Sequence, residues 1–295
     1  MSTRTVVLLS TIATAATLAG CRARDAAVSD SAAAAVADSA TTASMPNVVT
    51  ITARDYEFDA PAQVPAGLTR IRLVNQGPEL HHVQLVKLND GKTMSDLEAV
   101  LSALPQGPPP AWMEEMGGPN TPAPGKESNA TLNLEPGNYA ILCWIPSPDG
   151  KPHIAKGMVR PLTVTESSSS VMVAEPTADV TMRLTDYDFE MSQPLTAGTH
   201  TIKVENAGEQ PHEVVFIRMA PGKKAADLVA WVDKPTGPPP GEPLGGTTGF
   251  KKDSHQYVTI DFTPGNYALI CFVPDAKDGK PHFVHGMMKD VTIGA

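Results

Sequence analysis

The chain has 295 residues, 41% of them hydrophobic and 19% charged, with 28 prolines and 23 glycines; this length admits two domains of roughly 100 to 150 residues, and the turn-forming content favours β-structure over long helices. Thirty-two acidic against 23 basic residues give a formal net charge of −9, which argues against a nucleic-acid ligand, whose phosphates need a basic face. Such a surface keeps a protein soluble and is compatible with a basic docking partner.

Met1-Ser2-Thr3-Arg4 leads an apolar stretch from Thr5 to Leu18. An early positive charge, a short apolar run and small residues before a cleavage point mark a secretory signal, and the run is too short and too rich in Thr and Ala for a membrane span. Leu18-Ala19-Gly20-Cys21 resembles the lipobox of bacterial lipoproteins, which implies that residues 1–20 are a signal peptide and that Cys21 is diacylated. Arg22 follows, with no Asp to suggest retention at an inner membrane. The expectation is an exported protein, lipid-anchored to the cell envelope at the periplasmic face of the outer membrane or the cell surface. Residues 21–46, mostly Ala, Ser, Asp and Thr, bury too little apolar surface to order and read as a tether.

The remainder is an internal repeat. Asp55-Tyr56-Glu57-Phe58 returns as Asp186-Tyr187-Asp188-Phe189, and Asn75-Gln76-Gly77 as Asn206-Ala207-Gly208, both displaced by 131 positions. Asp96-Leu97, Gly107-Pro108-Pro109-Pro110, Pro136-Gly137-Asn138-Tyr139 and Lys151-Pro152-His153 return in the same order as Asp227-Leu228, Gly237-Pro238-Pro239-Pro240, Pro264-Gly265-Asn266-Tyr267 and Lys280-Pro281-His282. The Ser-rich, polar stretch 167–177 separates a first domain, 47–166, from a second, 178–295. Strands are predicted at 48–53, 69–74, 82–87, 130–134, 139–144 and 158–164, where β-branched or alternating residues lie between turn signals. One helix interrupts them: Ser95 and Glu98 read as a capping box, Leu97, Val100, Leu101 and Leu104 share a face, and Pro105 ends the run. The second copy keeps Leu228, Trp231 and Val232 and stops before Pro235. The fold class expected is all-β, two tandem sandwiches each with one short helical excursion.

With Cys21 assigned to lipid, Cys143 and Cys271 remain, at the same position in the two copies. An exported protein pairs its thiols or uses them, and a disulfide between equivalent strands of separate domains is the poorer of these alternatives. Tyr139, Ile141 and Cys143 alternate onto one strand face, as do Tyr267, Leu269 and Cys271. His153 and Met158 follow in the first copy, His282 and Met287 in the second. Upstream, His81 shares a face with Val83 and Leu85, and His212 with Val214 and Phe216. A thiolate, two imidazoles and a weak thioether suit both Cu(I) and Cu(II), whereas zinc prefers four strong ligands, so each set, His81-Cys143-His153-Met158 and His212-Cys271-His282-Met287, reads as a site for one copper ion.

At these residues the chain resembles the cupredoxins, the plastocyanin and azurin family. Asn206 to Phe216 looks like that family's first-histidine strand, Pro-Gly-x-Tyr-x-x-x-Cys like its cysteine strand, and His-x-x-x-Gly-Met at 153–158 and 282–287 like its copper loop. The resemblance implies Greek-key sandwiches, two mononuclear type 1 copper sites, and electron transfer with redox partners such as c-type cytochromes. The loops from Cys143 to His153 and from Cys271 to His282 are longer than in the small carriers and resemble the blue-copper domain of copper nitrite reductases. His82 and Glu213 stand where plastocyanins carry the Asn that pins the ligand loop. Trp144 and Phe272 follow the cysteines, as shields of the sulfur or as ordinary packing. Leu142 and Ile270 precede the cysteines where copper enzymes place a His, and no His-x-His occurs, so the expectation is a carrier and not an enzyme; copper delivery without redox turnover is the alternative. His153 and His282 are expected as electron exits at an exposed rim. His82, His255 and His285 read as solvated, and Met113, Met116 and Met288 as packing, rather than as a copper-loading site.

Overall fold

A computed structural model of the chain describes residues 45–103, 109–168 and 173–294. The expected signal peptide, Cys21, most of the tether, Leu104, Pro105 and the Ser-rich centre of the linker lie outside the described residues. The first repeat contributes β1 (Asn47–Arg54), β2 (Glu57–Asp59), β3 (Gln63–Pro65), β4 (Gly67–Asn75), β5 (Gln84–Leu88), α1 (Met94–Ala103), β6 (Met113–Gly117), β7 (Glu127–Leu134), β8 (Gly137–Leu142) and β9 (Val159–Thr165). The second contributes β10 (Val180–Thr185), β11 (Asp188–Met191), β12 (Gly198–Asn206), β13 (His212–Met219), α2 (Ala225–Asp233), β14 (Gly241–Phe250), β15 (His255–Phe262), β16 (Gly265–Ile270) and β17 (Met288–Ile293).

Period-two alternation builds the outer strands. In β1 Val49, Ile51 and Ala53 turn inward and their neighbours face solvent; in β10 Val180, Met182 and Leu184 do the same. The cysteine strands are apolar on both faces for a local reason. Tyr139 and Ile141 of β8 look into the sandwich, while Ala140 and Leu142 meet the underside of α1 through Leu97, so neither face reaches water. The Tyr of each Pro-Gly-Asn-Tyr landmark closes its own turn: Tyr139 donates to the Glu135 carbonyl at 2.8 Å and Tyr267 to that of Thr263 at 2.7 Å.

The helix expectation needs one correction. The cap of α1 is Thr93 with Asp96, not Ser95 with Glu98: the Thr93 N–H donates to Asp96 Oδ2 at 2.9 Å and the Asp96 N–H to Thr93 Oγ1 at 3.4 Å. Both pairs satisfy the S/T-x-x-D/E pattern, and burial of Leu97 decides between them by fixing which turn meets the sheet. In α2 Leu228 is buried but Val232 is 38% exposed.

Two sheets run through both repeats, in the orders β11-β10-β12-β15-β7-β4-β1-β2 and β17-β16-β13-β14-β6-β5-β8-β9-β3. Each crosses the repeat boundary through equivalent strands lying antiparallel, β15 on β7 at Tyr257 and Thr131 and β14 on β6 at Phe250 and Met116. The described residues from Met45 onward accordingly belong to one compact unit, and edges that separate sandwiches would leave open cover one another. The seam is hydrogen-bonded and buried: Gln84 Nε2 donates to the Gly249 carbonyl at 2.8 Å, the Gly118 N–H to Gln256 Oε1 at 3.1 Å, and Thr248 Oγ1 to the Val83 carbonyl at 3.1 Å. Glu175, from the segment between the repeats, holds Tyr257 and His255 at 2.7 and 2.8 Å.

Glu115 of β6 sits beside this seam, and burial pushes its carboxyl from 4.5 up to about 7. Between those values the folded chain keeps a proton that the unfolded chain has lost. Stability from this group is therefore complete below about pH 4.5 and falls as pH rises through about 7. At about 1.4 kcal/mol per tenfold change in proton affinity, the loss is roughly 3 kcal/mol. Glu115→Gln is expected to gain up to that amount on the wild type between pH 5 and pH 8, read as urea midpoints; an unchanged difference at the two pH values would contradict the assignment.

Candidate metal centres

Each repeat gathers a thiol and two imidazoles at one buried point. His81 arrives just before β5, Cys143 just after β8, and His153 on a single 3-10 turn, His153–Lys156. All three side chains have no solvent exposure. His81 Nδ1 lies 3.1 Å from His153 Nδ1, which lies 3.5 Å from Cys143 Sγ. In the second repeat His212 Nδ1 is 3.0 Å from His282 Nδ1, which is 3.4 Å from Cys271 Sγ. Within each trio the ligand-type atoms all lie within 4.8 Å of one another. Met158 and Met287 are also fully buried in the same cores as the two cysteines, and their carbonyls accept the N–H groups of Cys143 and Cys271 at 3.3 and 3.2 Å.

Carboxylates orient the rings from behind. His81 Nε2 meets Asp55 Oδ1 at 2.6 Å, His153 Nε2 meets Glu79 Oε2 at 2.9 Å, and His212 Nε2 meets Asp186 Oδ1 at 2.5 Å. These acids accept, so the ring hydrogens sit on Nε2, and in the first repeat two bare Nδ1 lone pairs point at each other and at the sulfur. The thiol hydrogen can answer only one of these lone pairs, whereas a cation between the donors satisfies both nitrogens and the sulfur. Metal–nitrogen bonds of about 2.0 Å and metal–sulfur bonds of about 2.3 Å place neighbouring donors roughly 3 to 4 Å apart, the spacing found here.

The protonation states fit as well. Burial lowers the pKa values of His81 and His212, and burial with the neighbouring His212 lowers that of His282 to about 4. Burial raises the Cys143 thiol to about 12 and the Cys271 thiol well above its ordinary value. Without a metal the two thiols hold their protons, and the charge of an ion is what draws them off. A thiolate, two imidazoles and a thioether suit copper in both oxidation states.

The duplicated Asp-Tyr and Asn-x-Gly landmarks also serve these centres. Asp55 and Asp186 are the ring supports. The Asn-x-Gly turns are held by Asn75 Oδ1 on the Gly77 N–H and Asn206 Oδ1 on the Gly208 N–H, both at 3.0 Å. A Cβ at Gly77 would stand 2.7 Å from His81 Nε2 and collide with Asp55 Oδ1, and Gly208 is confined in the same way, so glycine is required where the backbone closes over each Asp–His pair. These were visible in the sequence as repeated motifs, but not their partners.

Pinning of the ligand loop is kept by different chemistry in each repeat. His82 Nε2 accepts the Trp144 N–H at 2.9 Å, and Glu213 Oε1 accepts the Phe272 N–H at 2.9 Å. His82 is buried and its pKa is lowered to about 3 by burial; it is not solvated as expected. Glu213 Oε2 is held in turn by Asn120 Nδ2 of the first repeat at 3.1 Å, so one repeat braces the metal centre of the other.

The expectation of ligand histidines at an exposed rim fails. His153 and His282 have no exposure, because Tyr56 and Tyr187 stand edge-on to them with ring centroids 4.9 and 5.3 Å away. Trp144 is 37% exposed. Met113 and Met116 are buried as packing residues, and Met288 is 37% exposed.

No family model matches the chain, and no curated protein matches it. Among solved structures, a reduced auracyanin from Roseiflexus castenholzii is 23% identical over 41% of this chain and 99% of its own, with a TM-score of 0.29. A blue copper oxidase from Nitrosomonas europaea is 14% identical over 85% of this chain and 86% of its own, at 0.24. A copper nitrite reductase from the same organism is 14% identical over 85% and 94%, at 0.24. Both of these longer matches are structures of enzymes, and the expectation that this protein is not an enzyme is withdrawn. The residue before each cysteine bears on one wiring route alone; ligands for a further metal can come from other loops.

Proposed function

We propose that this is a two-centre copper protein that moves single electrons, with one type 1 copper in each repeat, held by His81, Cys143, His153 and Met158 and by His212, Cys271, His282 and Met287. The observation that carries this reading is the convergence of two imidazole Nδ1 atoms, 3.1 Å apart in the first repeat, on a buried thiol 3.5 Å from one of them, with a carboxylate on each Nε2. Copper held there supplies a one-electron couple that this donor set accommodates in both oxidation states. The chain's own part is positional. Asp55, Glu79 and Asp186 fix the ring planes, His82 and Glu213 fix the backbone after each cysteine, and the closed core keeps water from adding ligands.

Delivery of copper without redox turnover is the weaker reading, since ligands with no solvent exposure offer a receiving protein nothing to exchange through. In the first repeat the exit for an electron is Trp144, bonded to Cys143 and partly exposed. The acidic balance of the chain suits a basic redox partner of the c-type cytochrome kind, and lipid on Cys21 is the tether to the cell envelope in this scheme. Reductive titration of the copper-loaded chain tests it: two electrons per chain should enter and leave reversibly with the copper retained. A chain that accepts none, or surrenders Cu(I) to a chelator as soon as it is reduced, would refute it.

A further inference from the structure

The cysteines of the two centres are joined across the seam by covalent and hydrogen bonds alone. Cys143 is followed by Trp144, whose N–H donates to His82 Nε2 at 2.9 Å. His82 is bonded to Val83, and the Val83 N–H donates to the Pro119 carbonyl at 3.1 Å. That carbonyl is part of the peptide to Asn120, and Asn120 Nδ2 donates to Glu213 Oε2 of the second repeat at 3.1 Å. The other oxygen of Glu213 accepts the Phe272 N–H at 2.9 Å, and Phe272 follows Cys271. His82 and Glu213 are also the chain neighbours of His81 and His212, so the same run joins a histidine of each centre.

Asn120 is the crossing point, and it is fixed on every side. Its Oδ1 accepts the Thr121 N–H at 2.8 Å, which assigns the other end of the amide as the donor. The second Nδ2 hydrogen goes to the Thr247 carbonyl at 3.0 Å, and the Asn120 carbonyl accepts Ser128 Oγ at 2.6 Å. His82, Val83, Pro119, Asn120 and Glu213 are all buried. The run is closed to solvent except at its aromatic ends, where Trp144 is 37% exposed and Phe272 packs against Phe283 with ring centroids 5.5 Å apart.

We infer that this run passes single electrons within the chain between the two centres, with Asn120 as the residue that carries them over the seam. The inference rests on the two-copper reading above. One ion goes from Cu(I) to Cu(II) as the other goes from Cu(II) to Cu(I), and no proton, ligand or outside reagent takes part. Tunnelling electrons lose less amplitude along covalent and hydrogen bonds than across gaps between packed side chains, so a contiguous bonded network is the favoured carrier. An electron that enters at Trp144 is thereby available to the second centre, whose own aromatic neighbour is covered.

The test is a pulse that delivers less than one electron per copper-loaded chain, followed at the two absorption bands, with both reduction potentials measured in every chain so that driving force and coupling are told apart. One band should recover as the other bleaches, at a rate independent of chain concentration. Asn120→Leu removes both donor hydrogens at nearly the same shape and should slow this phase at least tenfold beyond what its potentials account for. Gln256→Leu cuts another hydrogen bond of the seam, to the Gly118 N–H, and should leave the rate unchanged. Absence of the phase, a rate that rises with chain concentration, an Asn120→Leu rate equal to the wild type, or equal slowing in Gln256→Leu overturns the inference. In the metal-free chain the Asn120 side-chain hydrogens should exchange slowly with water by NMR, and rapid exchange would overturn it as well. A loaded chain with fewer than two bands refutes the copper reading and this inference with it, whereas two bands without exchange refute this inference alone.

Discussion

Cys271→Ser is expected to remove one of two copper ions from the loaded chain, together with the whole of one thiolate-to-copper absorption band, and Cys143→Ser the other ion and the other band. Serine has nearly the shape of cysteine, but its hydroxyl is a hard donor that does not deprotonate in this buried setting, so the soft ligand common to both copper oxidation states is lost. The fold should survive. Each cysteine is fully buried, and a hydroxyl placed there costs about 1 to 3 kcal/mol if it finds no partner, less than a domain's total stability. Metal analysis beside absorption spectra of the two single variants and the double variant settles the matter. Retention of both bands in either single variant, or loss of both from one substitution, would rule out independent centres in the two repeats.

Gly246→Ala should be the most damaging single methyl in the seam, costing about 3 to 5 kcal/mol. Gly246 has φ +135° and its added Cβ would run into the carbonyl oxygen of Val214 in the neighbouring strand, a backbone atom that cannot rotate away. The Gly246 carbonyl also accepts the Asn120 N–H at 3.0 Å, and Asn120 holds Glu213, which holds the amide after Cys271. Strain at Gly246 therefore travels into the second metal centre and not the first. Urea unfolding reads the stability, and the absorption band that Cys271→Ser removes should shift while the band that Cys143→Ser removes stays in place. Equal shifts in both bands would show that the Asn120–Glu213–Phe272 chain is not the route.

The candidate centres were legible because both constraints on them are short-range. Alternation in β8 and β16 puts Cys143 and Cys271 on the core face with the Tyr two turns of the pleat earlier, and the shared displacement of the landmarks made a coincidence of four donors in the same order in two copies untenable. The supporting acids were less legible. Asp55 and Asp186 stood in plain view as part of a repeated Asp-Tyr motif, but nothing in their neighbourhood says that the turn carrying them lies against a histidine 26 residues later. The exposed exit at His153 and His282 was misread for the same reason. Their cover comes from Tyr56 and Tyr187, each more than 90 residues upstream, and distance along the chain hides such contacts from any local pattern. The role of His82 and Glu213 was set in question by their identity, yet an imidazole nitrogen and a carboxylate oxygen can each accept one amide hydrogen as an Asn does.

By itself the sequence determined the all-β class, the doubling, the face on which each donor stands and the kind of metal those donors prefer. These follow from a two-residue period and from ligand chemistry, both of which are written within a few residues. Only the tertiary structure decided that the sheets continue from one repeat into the other, and that all four imidazoles are buried, three of them backed by a carboxylate. Edge pairing and burial depend on surfaces assembled from strands more than a hundred residues apart, and no periodicity along the chain encodes which surfaces will meet.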